Sequence, residues 1–527
     1  MPIITKNTIT YNETDFLAGL HPQSGTKTIP QKFGKFSRDQ FAFNPFNDLG
    51  YAKNGFLNTN FTNSNLVTTR LIAKTGDDAG SNFYALDDKD TFHAIVNYTT
   101  ISSVLGFPHS ITGTVLGDSK RCLDLVRYGN YYYYAWRGTA QAAADIGRFD
   151  PSALAPNPKF VDDYMSTTPV GADYAWTGTL GTSLCVGYDD ILYSGGEQFV
   201  SSYDAYTGYG GTFIRQRLQF PSNYDIVKLL KLQPKSMVIF AQGEGDCKVF
   251  FWDYLSDDPY LIKDLYDFEI RAAFEYKGTV ACITSGRENY NKIKVFNGSE
   301  FETIATFSKK PDGTHSLLGP VNHGVSVNDN EIYWFCTDGR TGYIYCYGNN
   351  VGLKNTVNII GKIDAYISDS VTYYPGILSV GRSNEMMASC GQLYYDTTPS
   401  AVCQYLDYTK YATEGLWYSD LVDIGYERIQ ITGITVYFAN EFTGGRTISL
   451  SLTDRYNTYA ISGLTNLATV TATNRIYRVK PINNTGGTPI PPLDGIGLNL
   501  TWGEGSGSSV TPIINKVVLD YKPVTIN

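Results

Sequence analysis

Acidic residues near the ends of hydrophobic segments are the side chains of this sequence best suited to chemistry. They stand where turns are expected, at Asp189, Asp190, Asp253, Asp257, Asp258 and Asp338. Two carboxylates on either side of a sugar can serve as the catalytic pair of a glycosidase. Acids at turns also stabilise hairpins, because their side chains accept hydrogen bonds from the nearby backbone. No Ser-x-Asp-x-Gly-x-Thr-Trp box singles out a pair, so we predict no catalytic residue and a non-enzymatic protein.

Histidine and cysteine give no recognisable site either. The five histidines are His21, His93, His109, His315 and His323, and none stands at metal-ligand spacing from another or from a cysteine pair. No GxSxG nucleophile elbow occurs. We therefore expect histidines at turns and on the surface, and we predict no metal and no cofactor.

The eight cysteines are spread singly, without a CxxC pair. This spacing is unlike that of a disulfide scaffold, so free thiols on buried strands are expected. Cys336 and Cys346 could face each other across a hairpin, which leaves one disulfide as an open alternative.

A recurring pattern between Tyr188 and Tyr411 predicts the framework that must position any site. A polar turn is followed by a compact hydrophobic strand, and the turn positions recur every 43 to 54 residues. The instances are YDDILYSGG, KSMVIFAQG, KGTVACITSG, DNEIYWFCTDG and SNEMMASCG. A period of this length suits a four-stranded propeller blade. With weaker units upstream, including the tyrosine run Tyr131–Tyr134, which is expected at a seam between blades, we predict an all-β fold with a six- or seven-bladed β-propeller.

The two ends of the chain differ from this middle. Residues 1–81 are rich in Asn, Gly and Phe and show no sustained period, which indicates a loop-rich, extended N-terminal arm that packs on the propeller or on a neighbour. Residues 82–414 would form the propeller. From 415 to 527, six alternating segments separated by Gly, Asn and Pro turns predict a separate β-sandwich.

Composition excludes several classes of protein. The chain has 51 acids against 42 bases, a net charge of −9, and no basic cluster, so an electrostatic grip on nucleic acid is not expected. The first residues lack the basic and apolar regions of a signal peptide, and no apolar run of eighteen residues occurs, so we expect no membrane insertion.

The overall layout resembles the β-propeller structural proteins of bacteriophage necks and tails, including the nozzle proteins of short-tailed phages. The resemblance is carried by the Phe/Asn/Gly-rich start, the loop FDPSALAPNP, the blade-like segments DDILYSGGEQFVSSYDAYTG and CKVFFWDYLSDDPY, and the opening of the last region, LWYSDLVDIGYERIQITGITVYF. It implies a virion tail protein assembled in the cytoplasm of a bacterial host. It also implies a homo-oligomer, in nozzles a hexameric ring, that contacts other tail or neck proteins and lets genomic DNA pass without specific binding.

Two alternatives remain open from the sequence. A carbohydrate-binding or host-adhesion protein would use exposed aromatic side chains, for which Trp417, Trp502 and Tyr411 are the candidates. A propeller glycoside hydrolase would use two of the turn acids.

Overall fold

The computed structural model describes most of the chain in segments. The described residues are 9–13, 37–41, 56–60, 70–75, 83–88, 91–96, 100–101, 109–111, 120–138, 144–152, 159–167, 183–205, 212–288, 290–309, 315–328, 330–348, 356–364, 372–381, 386–392, 401–411, 415–419, 428–443, 445–455, 457–503 and 511–524. Within them the fold is all-β, as predicted. Its helical elements there are one turn of α-helix, α1 (Tyr164–Thr167), and a 3₁₀ turn, Asn322–Gly324.

Three short strands precede the repeated sheets. They are β1 (Ile9–Glu13), β2 (Ser37–Phe41) and β3 (Phe56–Asn60). Sheets of four or more antiparallel strands then follow in chain order. The first contains β4 (Leu71–Lys74), β5 (Phe83–Asp87), β6 (Thr91–Val96) and β7 (Thr100–Ile101), with β8 (His109–Ser110) also paired to β6. The second contains β9 (Lys120–Tyr128), β10 (Tyr131–Gly138), β11 (Ala144–Asp150) and β12 (Lys159–Val161).

The next four sheets have the same plan. The third contains β13 (Ser183–Val186), β14 (Leu192–Gly196), β15 (Phe199–Asp204) and β16 (Thr212–Gln219). The fourth contains β17 (Asp225–Leu232), β18 (Ser236–Gln242), β19 (Cys247–Trp252) and β20 (Leu261–Asp264). The fifth contains β21 (Glu269–Tyr276), β22 (Thr279–Ser285), β23 (Tyr290–Phe296) and β24 (Phe301–Ser308). The sixth contains β25 (Val325–Asn328), β26 (Glu331–Thr337), β27 (Thr341–Gly348) and β28 (Thr356–Asp364).

The seventh sheet is completed from the other end of the described chain. It contains β29 (Tyr374–Val380), β30 (Met386–Gly391) and β31 (Ala401–Tyr411), and its fourth strand is β3. The first strand of each sheet contacts the first strand of the next, and β29 contacts β4. This cyclic arrangement of four-stranded antiparallel sheets is that of a β-propeller.

Apolar side chains fill the space between each pair of neighbouring sheets. Seven buried clusters lie one at each junction, and the last joins Ile377 and Met387 of the seventh sheet to Leu71 and Phe83 of the first. The second strands are therefore buried on both faces; all six residues of β30 are buried. Stacking on both sides is what stabilises a sheet that cannot bury its own faces.

The tyrosine run on β10 is such a seam, which confirms the prediction for Tyr131–Tyr134. Tyr132 and Tyr134 pack in the cluster shared with the first sheet, and Tyr133 packs in the cluster shared with the third. Because alternate strand residues point to opposite faces, one strand serves both junctions.

Two more sheets form the C-terminal part. Their strands are β32 (Gly415–Ser419), β33 (Ile429–Phe438), β34 (Thr447–Thr453), β35 (Thr458–Ala460), β36 (Ile476–Val479), β37 (Gly497–Gly503) and β38 (Ile514–Pro523). One sheet has the order β1-β38-β33-β36 and the other β2-β32-β37-β34-β35. Both contribute to a single buried core. Each of the six alternating segments noted in the sequence contains one of these strands.

The strands of residues 1–81 are distributed over three parts of the fold. β1 and β2 each pair with a C-terminal sheet, β3 pairs with β31, and β4 belongs to the first sheet of the ring. The predicted boundary at residue 82 thus falls between two strands, β4 and β5, that pair with each other. Among the described residues, no helix is long and apolar enough to cross a membrane.

Candidate functional site: a polar pocket on the propeller axis

A 3₁₀ turn, Asn322–Gly324, crosses the middle of the ring and links four of its inner strands. The Asn322 side chain accepts a hydrogen bond from Ala273 N of β21 at 3.1 Å and donates one to Val227 O of β17 at 3.0 Å. His323 Nδ1 lies 3.5 Å from Lys74 N of β4, and its Nε2 lies 2.5 Å from Asp124 Oδ1 of β9. This turn, called here the axial plug, occupies the axis at the level of Asp124.

Asp124 is the point where the contacts on the axis converge. The Lys228 ammonium lies 3.0 Å from Oδ2, which also accepts the Leu184 amide at 2.8 Å. Burial by itself would raise the pKa of Asp124, but Lys228, His323 and the Leu184 amide together hold that pKa well below its usual range. The carboxylate is therefore ionised at any ordinary pH.

His323 is held in its neutral form. Burial lowers its pKa, and this effect outweighs the attraction of the Asp124 carboxylate. A neutral imidazole has one donor and one acceptor. The contacts assign the proton to Nε2, which donates to Asp124, and leave Nδ1 to accept from the Lys74 amide. Both ring nitrogens are thus engaged.

Above this floor lies a cavity of about 520 Å³. It is bounded by the inner strands of the first four sheets, by the hairpin between β18 and β19, and by the axial plug. Its polar and charged lining residues are Arg70, Asp124, Ser183, Asn223, Asp225, Lys228, Gln242, Glu244, Asn322 and His323. A volume of this size is typical of small-ligand sites.

The cavity wall carries both signs of charge. Arg70 is fixed by Asp88 at 2.8 Å and by the Pro375 carbonyl at 2.9 Å. Burial raises the pKa of Asp225. Lys228 uses one of its three donors on Asp124, and 11% of its side chain is exposed. The pocket can therefore offer both a donor-rich wall and an acidic one to a polar ligand.

Lys74 should make the stability of the protein depend on pH. Burial lowers its pKa to about 7. Between pH 7 and the ordinary lysine pKa of about 10.4, the unfolded chain binds a proton that the folded chain lacks, so stability should rise with pH. We expect the wild type to gain about 1–3 kcal/mol more than Lys74→Met between pH 7 and pH 9.5. Urea denaturation at several pH values measures this difference, and parallel pH profiles for the two proteins would contradict it.

The turn acids singled out in the sequence serve hairpins. Asp189 accepts a hydrogen bond from the Tyr193 hydroxyl at 2.6 Å. Asp253 accepts from the backbone amides of Leu255 and Ser256, at 3.0 and 2.8 Å. The bonds of Asp253 are the side-chain to backbone bonds expected of an acid at a turn.

Of the remaining turn acids, one has hydrogen-bond partners in its hairpin and three are exposed. Asp338 accepts from the Arg340 amide at 2.9 Å and from the Tyr343 hydroxyl at 2.8 Å. Asp190, Asp257 and Asp258 are exposed. Together with Asp189 and Asp253, these acids belong to hairpins of the third, fourth and sixth sheets.

The aromatic residues proposed as glycan contacts need a correction. Trp417 and Trp502 are 0% and 1% exposed and lie in the C-terminal core, so neither can stack on a sugar. Side chains alternate between the two faces of a strand, and on β32 and β37 the two tryptophans lie on the face that points into the core. From the sequence, both were expected on the exposed face. Tyr411 is the last residue of β31, paired with Phe56; its side chain lies outside the described part.

The histidines also differ from the prediction of turn and surface positions. His93 is 1% exposed on β6, with Nε2 3.3 Å from Asp87, and His109 stacks on Phe160 and contacts Asp162 at 3.0 Å. His323 lies in a turn, but that turn is inside the ring. His315 is half-buried and His21 lies outside the described residues.

The cysteines are all buried and free, as the sequence indicates. Cys336 lies opposite Tyr343 and Cys346 opposite Tyr333, so the two thiols are not partners across the hairpin. Within the segments that the structure describes, no group of three His, Cys, Asp or Glu side chains is placed to hold a metal ion.

Comparison with known proteins yields matches of structure and none of sequence. No protein-family model and no curated protein match the chain. Raptor of Chaetomium thermophilum matches with a TM-score of 0.42 and 11% identity, over 70% of this chain and 29% of that one. The Dos1 propeller matches with a TM-score of 0.40 and 10% identity, over 67% of this chain and 95% of that one. The β-propeller domain of Cps50 (Swd1) of Myceliophteria thermophila matches with a TM-score of 0.43 and 8% identity, over 67% of this chain and all of that one.

These matches contradict the prediction of a bacteriophage tail or neck structural protein. The three similar structures named above are of Raptor, Dos1 and Swd1, and none of the three is a virion protein. At 8–11% identity the likeness concerns the fold alone. The chain spans less than a third of the Raptor chain that it matches. The prediction of a nozzle-like ring around DNA is therefore wrong, whereas the β-propeller predicted from the sequence is present.

Proposed function

We propose that this chain is a non-enzymatic binding module in which a seven-bladed propeller recognises a small polar ligand, or a polar group of a larger one, in its axial pocket. The single observation that carries the proposal is the pocket of about 520 Å³ whose floor is the fixed cluster of Asp124, Lys228 and His323. A concave site lined by a few fixed polar groups is the usual form of a ligand site.

The seven-blade count is supported by the cyclic contacts of the inner strands and by the seven clusters between sheets. We further propose that the two C-terminal sheets are a β-sandwich, because they share one core. In this proposal the ring runs from residue 70 to 411 and is closed by β3, and the sandwich runs from 415 to 524 and includes β1 and β2.

A binding role suits the axial cluster better than acid–base catalysis. Asp124 has a pKa well below its usual range, which makes it a poor proton acceptor near neutral pH. His323 already uses both ring nitrogens, on Asp124 and on the Lys74 amide. Side chains fixed in this way can form the rigid wall of a binding pocket, but they do not readily exchange protons with a ligand.

Blocking the mouth of the pocket tests the proposal. Asn223 is an exposed residue of the lining, so Asn223→Trp should fill the entrance without touching the floor. We expect at least one member of a panel of free amino acids, short peptides and small carboxylates to raise the melting temperature of the wild type, and Asn223→Trp to abolish that rise. Glu300→Trp, at an exposed hairpin of the fifth sheet, is the matched control and should respond like the wild type. A shift that persists in Asn223→Trp, or no shift with any probe, would refute the pocket as the binding site.

A further inference from the structure

Exposed apolar side chains are concentrated at the outer edge of the fourth sheet. Seven large hydrophobic residues are exposed among those described, and four of them lie within twelve residues of chain: Leu255 (80%), Tyr260 (55%), Ile262 (52%) and Tyr266 (89%). These four residues, called here the β20 patch, surround the last strand of the sheet. Clustered exposed apolar side chains of this kind mark interaction sites more often than single ones do.

The turn that carries Leu255 is well fixed. The Asp253 side chain accepts the amides of Leu255 and Ser256, at 3.0 and 2.8 Å, and Trp252 Nε1 donates to the Ser256 carbonyl at 2.7 Å. On the other side of the turn, the Tyr260 hydroxyl is 2.7 Å from Ser236 Oγ. The exposure is thus built into an ordered segment, and little conformational entropy remains to be lost when a partner binds.

The strand beside the patch has a free edge in the part of the chain that the structure describes. β20 pairs with β19 and with no other described strand. The Leu265 amide donates to the Cys247 carbonyl. Every second residue of β20, counted back from Leu265, therefore directs its backbone groups toward β19. Backbone groups in an antiparallel pair alternate in direction. Those of Ile262 and Asp264, whose side chains are also exposed, therefore point away from the sheet.

The charged residues around this edge are three acids and two lysines, Lys248 and Lys263, of which Lys263 lies on β20 itself. Asp257 and Asp258 are exposed and Asp264 is half exposed, with Lys248 at 3.8 Å as its neighbouring cation. An exposed pair at that distance neutralises little. A second copy of the chain bound symmetrically at this edge would bring the same acids together, which disfavours self-association through it.

We propose that β20 accepts an extended segment of another protein as an added strand, with an apolar side chain facing Ile262 and a lysine or arginine facing Asp264. Main-chain hydrogen bonds to Ile262 and Asp264 would supply the pairing, and alternate side chains would supply the specificity, as in other cases of strand addition. The flanking apolar residues, Leu255 and Tyr266, cover the ends of the added strand. This site is separate from the axial pocket.

A synthetic peptide tests the proposal directly. The labelled peptide Val-Thr-Lys-Thr-Val-Thr-Lys places Val and Lys alternately on one face of a strand, and its binding is followed by fluorescence anisotropy. We expect the double variant Leu255→Ser, Tyr266→Ser to weaken binding by about tenfold or more. Ile262→Pro should weaken it too, because it removes an outward N–H without removing a bond to β19. Circular dichroism confirms that each variant is folded.

Matched controls fix the interpretation. Ile476→Ser changes an apolar residue, 54% exposed, at the edge of a C-terminal sheet and should leave binding unchanged. A peptide with Glu in place of Lys should not bind. The proposal is overturned if the Lys peptide does not bind the wild type, if it binds the double variant equally well, or if the Glu peptide binds as tightly. Self-association of the wild type that the double variant abolishes would equally overturn it, since the occupant would then be a second copy.

Discussion

Asp124→Asn should lower the free energy of unfolding of the ring by about 3–5 kcal/mol, the cost of removing one partner of a buried ion pair. The substitution leaves the Lys228 ammonium, 11% exposed, without its counter-ion, and it removes the charge to which His323 Nε2 donates. Most of this loss is the cost of leaving a buried charge without a counter-ion, and the net stabilisation by the ion pair is the smaller part. Urea denaturation of the two proteins at pH 7 measures the difference.

The same variant has a defined pH dependence. The folded pKa of Asp124 is depressed, so its contribution to stability is present above the unfolded value of about 3.9 and is lost as pH falls through the folded pKa. The difference in the free energy of unfolding between the wild type and Asp124→Asn should therefore become smaller only in strong acid. Lys228→Met in the Asp124→Asn background should restore part of the stability, because it removes the stranded charge. A double variant as unstable as the sum of the single variants would show that the two residues are not coupled.

Gly376→Ala should be the most damaging single-methyl substitution at the ring closure. A Cβ at Gly376 would lie 2.2 Å from the Leu71 carbonyl oxygen and 2.8 Å from that of Ser389, and both are backbone atoms that cannot move aside. Leu71 belongs to the first sheet and Gly376 to the seventh, so the added methyl group would separate the two sheets where the ring closes. We expect a loss of about 3 kcal/mol or more.

Gly486→Ala is the matched control for this test. A Cβ there would meet no atom closer than the Asn484 side-chain oxygen at 3.4 Å, so the change should be nearly neutral. Equal stability of Gly376→Ala and the wild type would mean that the first and seventh sheets are not in contact as described.

The repeated sheets could be found from the sequence because their second strands have a simple signature. A strand stacked on both faces needs apolar residues at nearly every position, and KSMVIFAQG and SNEMMASCG, which contain β18 and β30, show such runs. Prolines do not exclude a strand from this part of the chain: residues 159–161 form β12 directly after Pro156 and Pro158. Asp253 and Asp338 make the hairpin hydrogen bonds that the sequence predicts for acids at turns.

The pairing partners of the N-terminal strands could not be predicted from the pattern of apolar residues. β1, β2 and β3 pair with β38, β32 and β31, which lie more than 300 residues away in the chain. The sequence of a short strand does not identify a pairing partner at such a distance in the chain. The segment was therefore predicted to be an extended arm.

The axial site was missed for a related reason. His323 and Asp124 are 199 residues apart, and Lys228 and Asp124 are 104 apart, so no local motif joins them. A weaker signal was present. Asp124 interrupts the run CLDLV and Lys228 the run IVKLL, and a charged residue inside a buried strand needs a partner. That signal marks a residue as constrained, but only the closed ring shows which residues meet.

An experimental structure of the propeller at a resolution that shows side chains is the most direct test of a closed ring with a polar cluster on its axis. The result expected is seven four-stranded sheets with β3 in the last of them, and the His323 imidazole between the Asp124 carboxylate and the Lys74 amide. A ring of six or eight sheets, or an open channel at the position of the axial plug, would contradict it.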